Sequence, residues 1–236
     1  MIRVNLNRIP EIDRETNEAY KQLRTNIMFC GDDIKTIMIT STQPNEGKSE
    51  VSYFLAHAIG ESGKRVLLLD ADIRKSMMAS RFMPDKNVHG LSHYLAGQDS
   101  LDDIICQTNV HNLYMIFAGA SAPNPSELLG NQRFPAMLTA LKKVFDYVII
   151  DSPPIGTVID AAVIGTHTDG CVLVIGYDQT SYKLIAKAKN QLEKVGCHML
   201  GAVLNRVDTR KNSYYGGYYG RYYGRSGEKN NAETNK

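Results

Sequence analysis

Eight residues, Thr42 to Ser49, combine a flexible turn with a lysine and a hydroxyl group. They read Thr-Gln-Pro-Asn-Glu-Gly-Lys-Ser, so Thr42 stands where the P-loop pattern GxxxxGK[ST] has its first glycine. In such a loop, backbone N–H groups point at phosphates, Lys48 adds a mobile positive charge and the Ser49 hydroxyl reaches a magnesium ion. Gly47 allows close approach of the backbone. A chance Gly-Lys-Ser tripeptide in an ordinary turn is the alternative.

Three aspartates follow apolar runs that read as strands. Val-Leu-Leu-Leu precedes Asp70, with Asp72 two residues later, and Tyr-Val-Ile-Ile precedes Asp151. Ligands bind at the carboxyl ends of strands in an open α/β sheet, so we expect all three carboxylates to converge on the phosphate loop. There they could hold hydrated Mg²⁺, and one could take a proton from an attacking oxygen. Taken singly, each aspartate could equally be a loop cap or a turn residue.

Strands and helices alternate along the chain, which predicts a doubly wound α/β fold with a mainly parallel sheet. A helix from about residue 11 to residue 30 precedes the first strand, and we predict a domain over 1–207 followed by a tail over 208–236. The predicted strands are Thr36 to Thr40, Arg65 to Asp70, Leu113 to Phe117, Tyr147 to Asp151, Cys171 to Gly176 and Met199 to Leu204. The predicted helices between them are 48–62, 131–144 and 181–195, with two short ones around 91–95 and 101–105.

Composition narrows the class of protein. The 236 residues are 43% hydrophobic and 22% charged, which is typical of an ordinary globular chain. No apolar run approaches the roughly 20 residues that span a bilayer, and no signal peptide is visible, so we expect a cytoplasmic protein. The net charge is +2, but residues 208–236 carry six Lys and Arg against three Asp and Glu. The body is therefore close to neutral, which argues against a dedicated nucleic-acid binder.

The combined motifs resemble the P-loop bacterial tyrosine kinases that regulate capsule and exopolysaccharide synthesis, of the stand-alone CpsD/CapB type. Thr42 to Ser49 match the family's Walker A loop, Asp70 to Arg74 its Walker A′ motif Asp-x-Asp-x-Arg, and Asp151 to Pro154 its Walker B motif. A tyrosine-rich C-terminal tail is the fourth family mark. The resemblance implies a P-loop fold of the ParA/MinD-like group, with ATP and Mg²⁺ as cofactors.

The resemblance also implies roles for individual residues. Lys48, Asp70, Asp72 and Asp151 would be catalytic; which of Asp70 and Asp72 is the base stays open. Ser49, Asp70 and Asp151 would hold Mg²⁺. Asn205 would face adenine or, as an alternative, act as a cap, and Arg74 would add positive charge. The residues assigned to cofactor binding are Pro44, Asn45, Glu46, Gly47, Lys48, Ser49, Glu50, Arg74 and Asn205.

The family carries an oligomerisation signature, ExxRxxR, on its N-terminal helix. Here Glu18, Lys21 and Arg24 keep the spacing, with Lys21 in place of the first arginine. Residues three apart share a helix face, so a ring-like homo-oligomer is expected, and a merely solvated charged face is the alternative. The resemblance further implies a separate transmembrane activator, or polysaccharide co-polymerase, that recruits the chain to the inner face of the membrane. A cognate tyrosine phosphatase is also expected.

Six of the thirteen tyrosines cluster in the tail, which has no aliphatic periodicity. We expect them to be phosphoacceptors that are modified between subunits. An aromatic, glycine-rich RNA-binding segment is the alternative for this stretch. The clustered residues are Tyr214, Tyr215, Tyr218, Tyr219, Tyr222 and Tyr223.

Three functions follow from these patterns. The first is an ATP-dependent protein tyrosine autokinase that regulates surface polysaccharide production. The second is a ParA/MinD-type ATPase switch in which water is the acceptor. The third is a non-catalytic regulator that binds nucleotide and scaffolds a membrane complex.

Overall fold

A single eight-stranded sheet forms the centre of the molecule. The structure, a computed structural model, describes residues 1–207. The predicted tail and its six clustered tyrosines lie outside the described residues. The strands stand in the order β1-β4-β5-β3-β6-β2-β7-β8. Their bounds are β1 Ile2–Arg3, β2 Thr36–Ser41, β3 Val66–Asp70, β4 Cys106–Gln107, β5 Leu113–Ile116, β6 Tyr147–Asp151, β7 Gly170–Gly176 and β8 Met199–Asn205.

All neighbouring strands run parallel except β4 and β5, which pair antiparallel. The six predicted strands are present, and the predicted mainly parallel, doubly wound architecture is confirmed. Two further strands, β1 and β4, are each two residues long, too short for a periodicity to reveal them. The strands that flank β2 are β6 and β7, which come much later in the chain, so the chain crosses over on both sides of β2. The carboxyl ends of these central strands therefore lie together at one edge of the sheet.

Helices cover both faces of the sheet. The predicted helices are present with slightly different ends, and α3, α6 and α8 are additional. These three have six residues or fewer, which is less than two turns, so periodicity gives little signal for them, although α4 and α5 are no longer and were predicted. The helices are α1 Arg14–Met28, α2 Lys48–Glu61, α3 Met78–Phe82, α4 Leu91–Leu95, α5 Leu101–Ile104, α6 Pro125–Leu129, α7 Arg133–Leu141, α8 Asp160–Gly165 and α9 Tyr182–Lys194.

The central strands are buried on both faces, and their side chains alternate between two apolar cores. In β2, Ile37 and Ile39 pack into one core with α1 and α2, whereas Met38 packs into the other with α7 and α8. Such double burial is why these strands read as continuous apolar runs. The two cores hold the central strands rigidly, and this rigidity positions the loops at the strand ends. Residues Met1–Asn205 form one compact unit.

No helix within residues 1–207 combines the length and the apolar character that crossing a bilayer requires.

Candidate functional site

The phosphate-loop motif lies between β2 and α2, at a strand-to-helix turn. Asn45 and Gly47 both take positive φ, at 67° and 92°, and Gly47 caps the helix that begins at Lys48. The backbone N–H groups of Glu50 and Val51 already bond to the Gly47 carbonyl. A left-handed turn followed directly by a helix N-terminus directs backbone N–H groups at one point, which suits an anion.

Thr42, at the consensus position of the first glycine, is only 3% exposed. Its hydroxyl donates to Glu46 Oε2 at 2.7 Å. The departure from the consensus therefore adds a hydrogen bond inside the loop rather than a clash. Among the other loop residues with predicted cofactor contacts, Pro44 and Asn45 are exposed and Glu50 is half-buried.

The three aspartates converge on Lys48. Asp70 and Asp151 are register partners at the ends of β3 and β6, and Asp72 follows two residues beyond Asp70. Lys48 Nζ lies 3.6 Å from Asp151 Oδ1 and 3.7 Å from Asp72 Oδ2. The geometry thus brings together residues that are more than a hundred positions apart in sequence.

Burial governs the electrostatics of this cluster. It raises the pKa of Asp70 to about 7, and the neighbouring Asp151 carboxylate adds to the rise. Burial also raises the pKa of Asp151, against the opposing effect of Lys48. For Lys48, burial alone would lower the pKa, but the carboxylates of Asp151, Asp72 and Asp70 outweigh it and the pKa is raised. Three carboxylates thus share one ammonium, and the cluster is short of positive charge.

A magnesium ion fits this shortage of positive charge. Ser49 is in hydrogen-bond contact with Asp151, and Lys48 Nζ lies 3.2 Å from the Ser49 hydroxyl. Within residues 1–207, no group of three or more His, Cys, Asp and Glu side chains is arranged to hold a metal ion by itself. Mg²⁺ would therefore take most of its ligands from water and phosphate oxygens, as it usually does at nucleotide sites. Ser49 and Asp151 lie together beside Lys48, and the predicted role of Ser49, Asp70 and Asp151 in holding Mg²⁺ stays a prediction.

Ser76 is a site residue that the sequence patterns did not reveal. Its hydroxyl donates a short hydrogen bond to Asp70 Oδ2, and the backbone N–H of Asp72 donates to Asp70 Oδ1 at 3.2 Å. Ser76 in turn accepts from the backbone N–H of Met78, at the start of α3. A serine in a loop carries no pattern of its own, so only the fold shows that it orients a buried carboxylate.

Arg74 is held by a further buried carboxylate, that of Asp160. Its Nε lies 2.5 Å from Asp160 Oδ2, and its Nη2 lies 2.9 Å from both Asp160 Oδ1 and Ser126 Oγ. The Asp160 side chain is fully buried at the start of α8, and Ser126 lies in α6. The paired contacts of the guanidinium join the loop after β3 to α6 and α8, the helices that follow β5 and β6. Two of the nitrogens of the Arg74 guanidinium are therefore engaged away from the Lys48 cluster; its predicted cofactor contact stays a prediction.

Asn205 lies at the end of β8 and touches the phosphate loop. Its Nδ2 donates to the Glu46 carbonyl oxygen at 3.0 Å. This contact caps a loop carbonyl, which was the alternative reading of Asn205. Its predicted contact with adenine remains a prediction.

The predicted oligomerisation residues divide between two kinds of contact. Lys21 Nζ bonds to Glu18 Oε1 at 2.7 Å on the exposed face of α1. Arg24 instead donates to the carbonyl of Ala58 in α2 at 3.0 Å. Arg24 therefore helps to dock α1 against α2 in the same chain, and the predicted role of these residues in assembly stays a prediction.

Fold and site together define a P-loop nucleotide-binding protein. A family model described as an AAA domain matches residues 34–200. The tyrosine-protein kinase CpsD of Streptococcus agalactiae is 43% identical over 201 residues, covering 85% of this chain and 88% of that protein. The kinase domain of the Escherichia coli tyrosine kinase ETK superposes with a TM-score of 0.80 at 36% identity, over 84% of this chain and 78% of that domain.

A second group of structures is also similar. The septum site-determining protein MinD of Pyrococcus horikoshii, complexed with Mg-ADP, has a TM-score of 0.65 at 27% identity, covering 76% of this chain and 72% of that one. Sequence identity and coverage are both greater for the kinases. The chain belongs to the bacterial P-loop tyrosine-protein kinase family that includes CpsD.

Proposed function

We propose that this chain transfers the terminal phosphoryl group of Mg-ATP to tyrosine hydroxyls, including those of its own C-terminal tail on a neighbouring subunit. The observation that carries the proposal is the convergence of three carboxylates on Lys48 beside a phosphate-binding turn. The chain's relatives are named tyrosine-protein kinases, which supports tyrosine as the acceptor. We further propose that this activity regulates production of capsule or exopolysaccharide.

The residues around Lys48 have different proposed roles in phosphoryl transfer. Lys48 would neutralise charge on the transferring phosphoryl oxygens, and Ser49 with Asp151 would hold the metal that supplies the remaining positive charge. Asp70 and Asp72 remain as candidates to take the proton of the tyrosine hydroxyl. Asp72 lies nearer to solvent, since Asp70 is almost fully buried. Phosphoryl transfer depends mainly on alignment and charge stabilisation, so this rigid cluster suits the reaction.

The tail is proposed as the acceptor because of its composition and its place in the chain. The first clustered tyrosine, Tyr214, comes nine positions after Asn205, the last residue of β8. Each phosphate would add about −1.5 to −2 charges to a segment that is now positive. Repeated modification would therefore weaken its attraction to an acidic site and loosen the proposed ring-like oligomer.

The test is phosphotyrosine formation on the purified full-length chain incubated with Mg-ATP. We expect mass spectrometry to place phosphate on the clustered tail tyrosines, and we expect none without magnesium. Lys48→Met should abolish the signal, because it removes the cation that faces the transferred group. Phosphate confined to residues outside the tail would contradict tail autophosphorylation, and no phosphotyrosine at all would contradict the kinase itself.

A MinD-type ATPase switch is the second candidate, and the likeness to MinD favours it. Water would then be the acceptor, and nucleotide-controlled assembly would be the output. Release of inorganic phosphate without any phosphotyrosine would support this alternative over the kinase.

We also propose that the chain works at the inner face of the cell membrane, through a separate transmembrane activator. The support for this is the family resemblance. The expected result is a slow kinase whose rate rises when the cytosolic segment of that activator is added. Equal rates with and without the segment would contradict the proposal.

A further inference from the structure

Glu46 is a buried carboxylate inside the phosphate loop, and four donors surround it. The residue is only 1% exposed to solvent. Oε2 accepts from the Thr42 hydroxyl at 2.7 Å and from the Gln43 backbone N–H at 2.8 Å. Oε1 accepts from the Thr180 hydroxyl at 2.5 Å and from the Gly176 backbone N–H at 3.2 Å. Each oxygen therefore takes one hydroxyl and one backbone N–H.

The two oxygens of Glu46 join two different parts of the fold. Thr42 and Gln43 belong to the phosphate loop itself, whereas Gly176 ends β7 and Thr180 precedes α9. The carboxylate is thus a bridge between the loop and the turn that follows the neighbouring strand. The backbone of Glu46 adds a third attachment, because its carbonyl accepts from Asn205 at the end of β8.

The side chain of Glu46 affects the conformation of the phosphate loop and does not contact a ligand directly. All four contacts of its carboxylate are internal, and the residue is almost inaccessible to solvent, so the side chain does not reach a ligand. Burial alone would raise its pKa, but the hydroxyls of Thr180 and Thr42 and the two backbone N–H groups lower it. A charged group held by four donors is rigid, and charge-assisted hydrogen bonds are the strong ones.

We propose that Glu46 is a positioning residue that holds the phosphate loop in its binding conformation by tying it to the turn 176–180. The proposal rests on the proposed ATP-dependent function of the site. It also accounts for Thr42, since a glycine at the consensus position would remove one of the four donors. The consequence is specific: Glu46 controls affinity for the phosphate chain and not for adenine.

Glu46→Gln is the substitution that tests this bridge. The glutamine has the same shape, but whichever way its amide turns, an NH₂ group faces one of the two backbone N–H donors. The loop must then shift or lose a hydrogen bond. We expect affinity for Mg-ATP to fall about tenfold, the usual effect of losing a hydrogen bond to a charged group. Affinity for Mg-tripolyphosphate, measured by competition against ATP, should fall by the same factor.

Two other variants complete the experiment. Thr180→Val removes one donor and leaves the carboxylate in place, so both affinities should fall together by a smaller factor. Glu61→Gln neutralises a solvent-facing carboxylate at the end of α2 and should bind both compounds like the wild type. Melting temperatures of all variants show whether each protein is folded at the temperature of the binding assay.

The outcomes separate the proposal from the function on which it rests. Equal loss for ATP and tripolyphosphate in folded Glu46→Gln supports the positioning role. Loss for ATP alone overturns it, because Glu46 would then act on the nucleoside, and wild-type affinity for both compounds overturns it as well. If Glu46→Gln does not fold, unchanged affinities in Thr180→Val overturn it. A wild-type chain that binds no ATP would instead refute the proposed function.

Discussion

Two carboxylate sites at opposite ends of the same sheet differ in how well they are satisfied. Asp169, just before β7, accepts from the backbone N–H of Lys35 and from the N–H and hydroxyl of Thr36, and Lys142 Nζ lies 2.9 Å from it. At the other end, Asp70 and Asp151 face each other as register partners and share Lys48 with a third carboxylate. The first site is electrically balanced, and the second is not.

This difference shows in the direction of the pKa shifts. For Asp169, burial alone would raise the pKa, but Lys142 and Thr36 outweigh it and hold the pKa low. For Asp70, burial and Asp151 raise the pKa to about 7. A satisfied carboxylate stabilises the folded state, whereas an under-satisfied one is destabilising until a cation arrives. One end of the sheet therefore contributes to stability, and the other is the end proposed to bind the ligand.

The largest expected effect is a loss of kinase activity when Asp151 is substituted, at the end of the sheet where three carboxylates share one lysine. Asp151→Asn should lower the kinase rate by about 100- to 1,000-fold, because it removes the proposed metal ligand, and charge stabilisation by a metal is worth several kcal/mol. Its melting temperature should not fall, since the change removes charge repulsion with Asp70. Kinase assays and thermal melts check this. A large drop in melting temperature would show that Asp151 is a structural residue like Asp169.

The matching substitution of Asp169, at the end of the sheet where the carboxylate is balanced by Lys142, should lower stability and leave activity unchanged. Asp169→Asn should cost about 1–3 kcal/mol in the free energy of unfolding, because it breaks a charge-assisted network at the start of two strands. Its kinase rate per folded molecule should match the wild type.

Urea unfolding as a function of pH tests whether the charged form of Asp169 stabilises the folded state. The pKa of Asp169 is lower in the folded state, so its contribution is present above the unfolded pKa of about 3.9 and is lost as the pH falls through the folded value. The stability gap between wild type and Asp169→Asn should therefore close in acid. A gap that is constant with pH would refute the assignment.

Asp70 should show the opposite pH dependence in the nucleotide-free protein with EDTA present. Its folded pKa, about 7, lies above the unfolded value of about 3.9, so the folded state binds the extra proton and stability falls as the pH rises between them. Asp70→Asn should match the wild type in stability at about pH 3, below the unfolded pKa, and should exceed it by a growing margin up to pH 8. Equal stabilities at both pH values would mean that Asp70 is not electrostatically strained.

The smallest effect concerns the orientation of Asp70. Ser76→Ala removes the hydroxyl that donates to Asp70 and should lower kcat by about 2- to 10-fold, the usual range for one hydrogen bond. The control is Ser80→Ala in α3, where the exposed Ser80 hydroxyl donates to the Met77 carbonyl and not to a residue of the Lys48 cluster. Equal rates for the two variants would exclude a role for Ser76.

Much of the fold was predictable because the decisive signals are local. Central strands such as β2 and β6 are buried on both faces and read as apolar runs, and a long helix such as α2 has enough turns to show its period. The phosphate loop was also predictable, since adjacent residues build it. The short helices α3 and α8 were not, because fewer than two turns give little periodic signal, and of equally short helices α4 and α5 were predicted.

Sequence alone determined which residues stand at the ends of the central strands, and parallel pairing then brings those ends to one edge of the sheet. It thereby determined that Lys48, Asp70 and Asp151 would meet. Tertiary structure alone decided which polar partners hold them: Ser76 on Asp70, Asp160 on Arg74 and the turn 176–180 on Glu46. These partners come from loops and short helices, whose positions depend on packing between distant segments and leave no periodic trace in the chain.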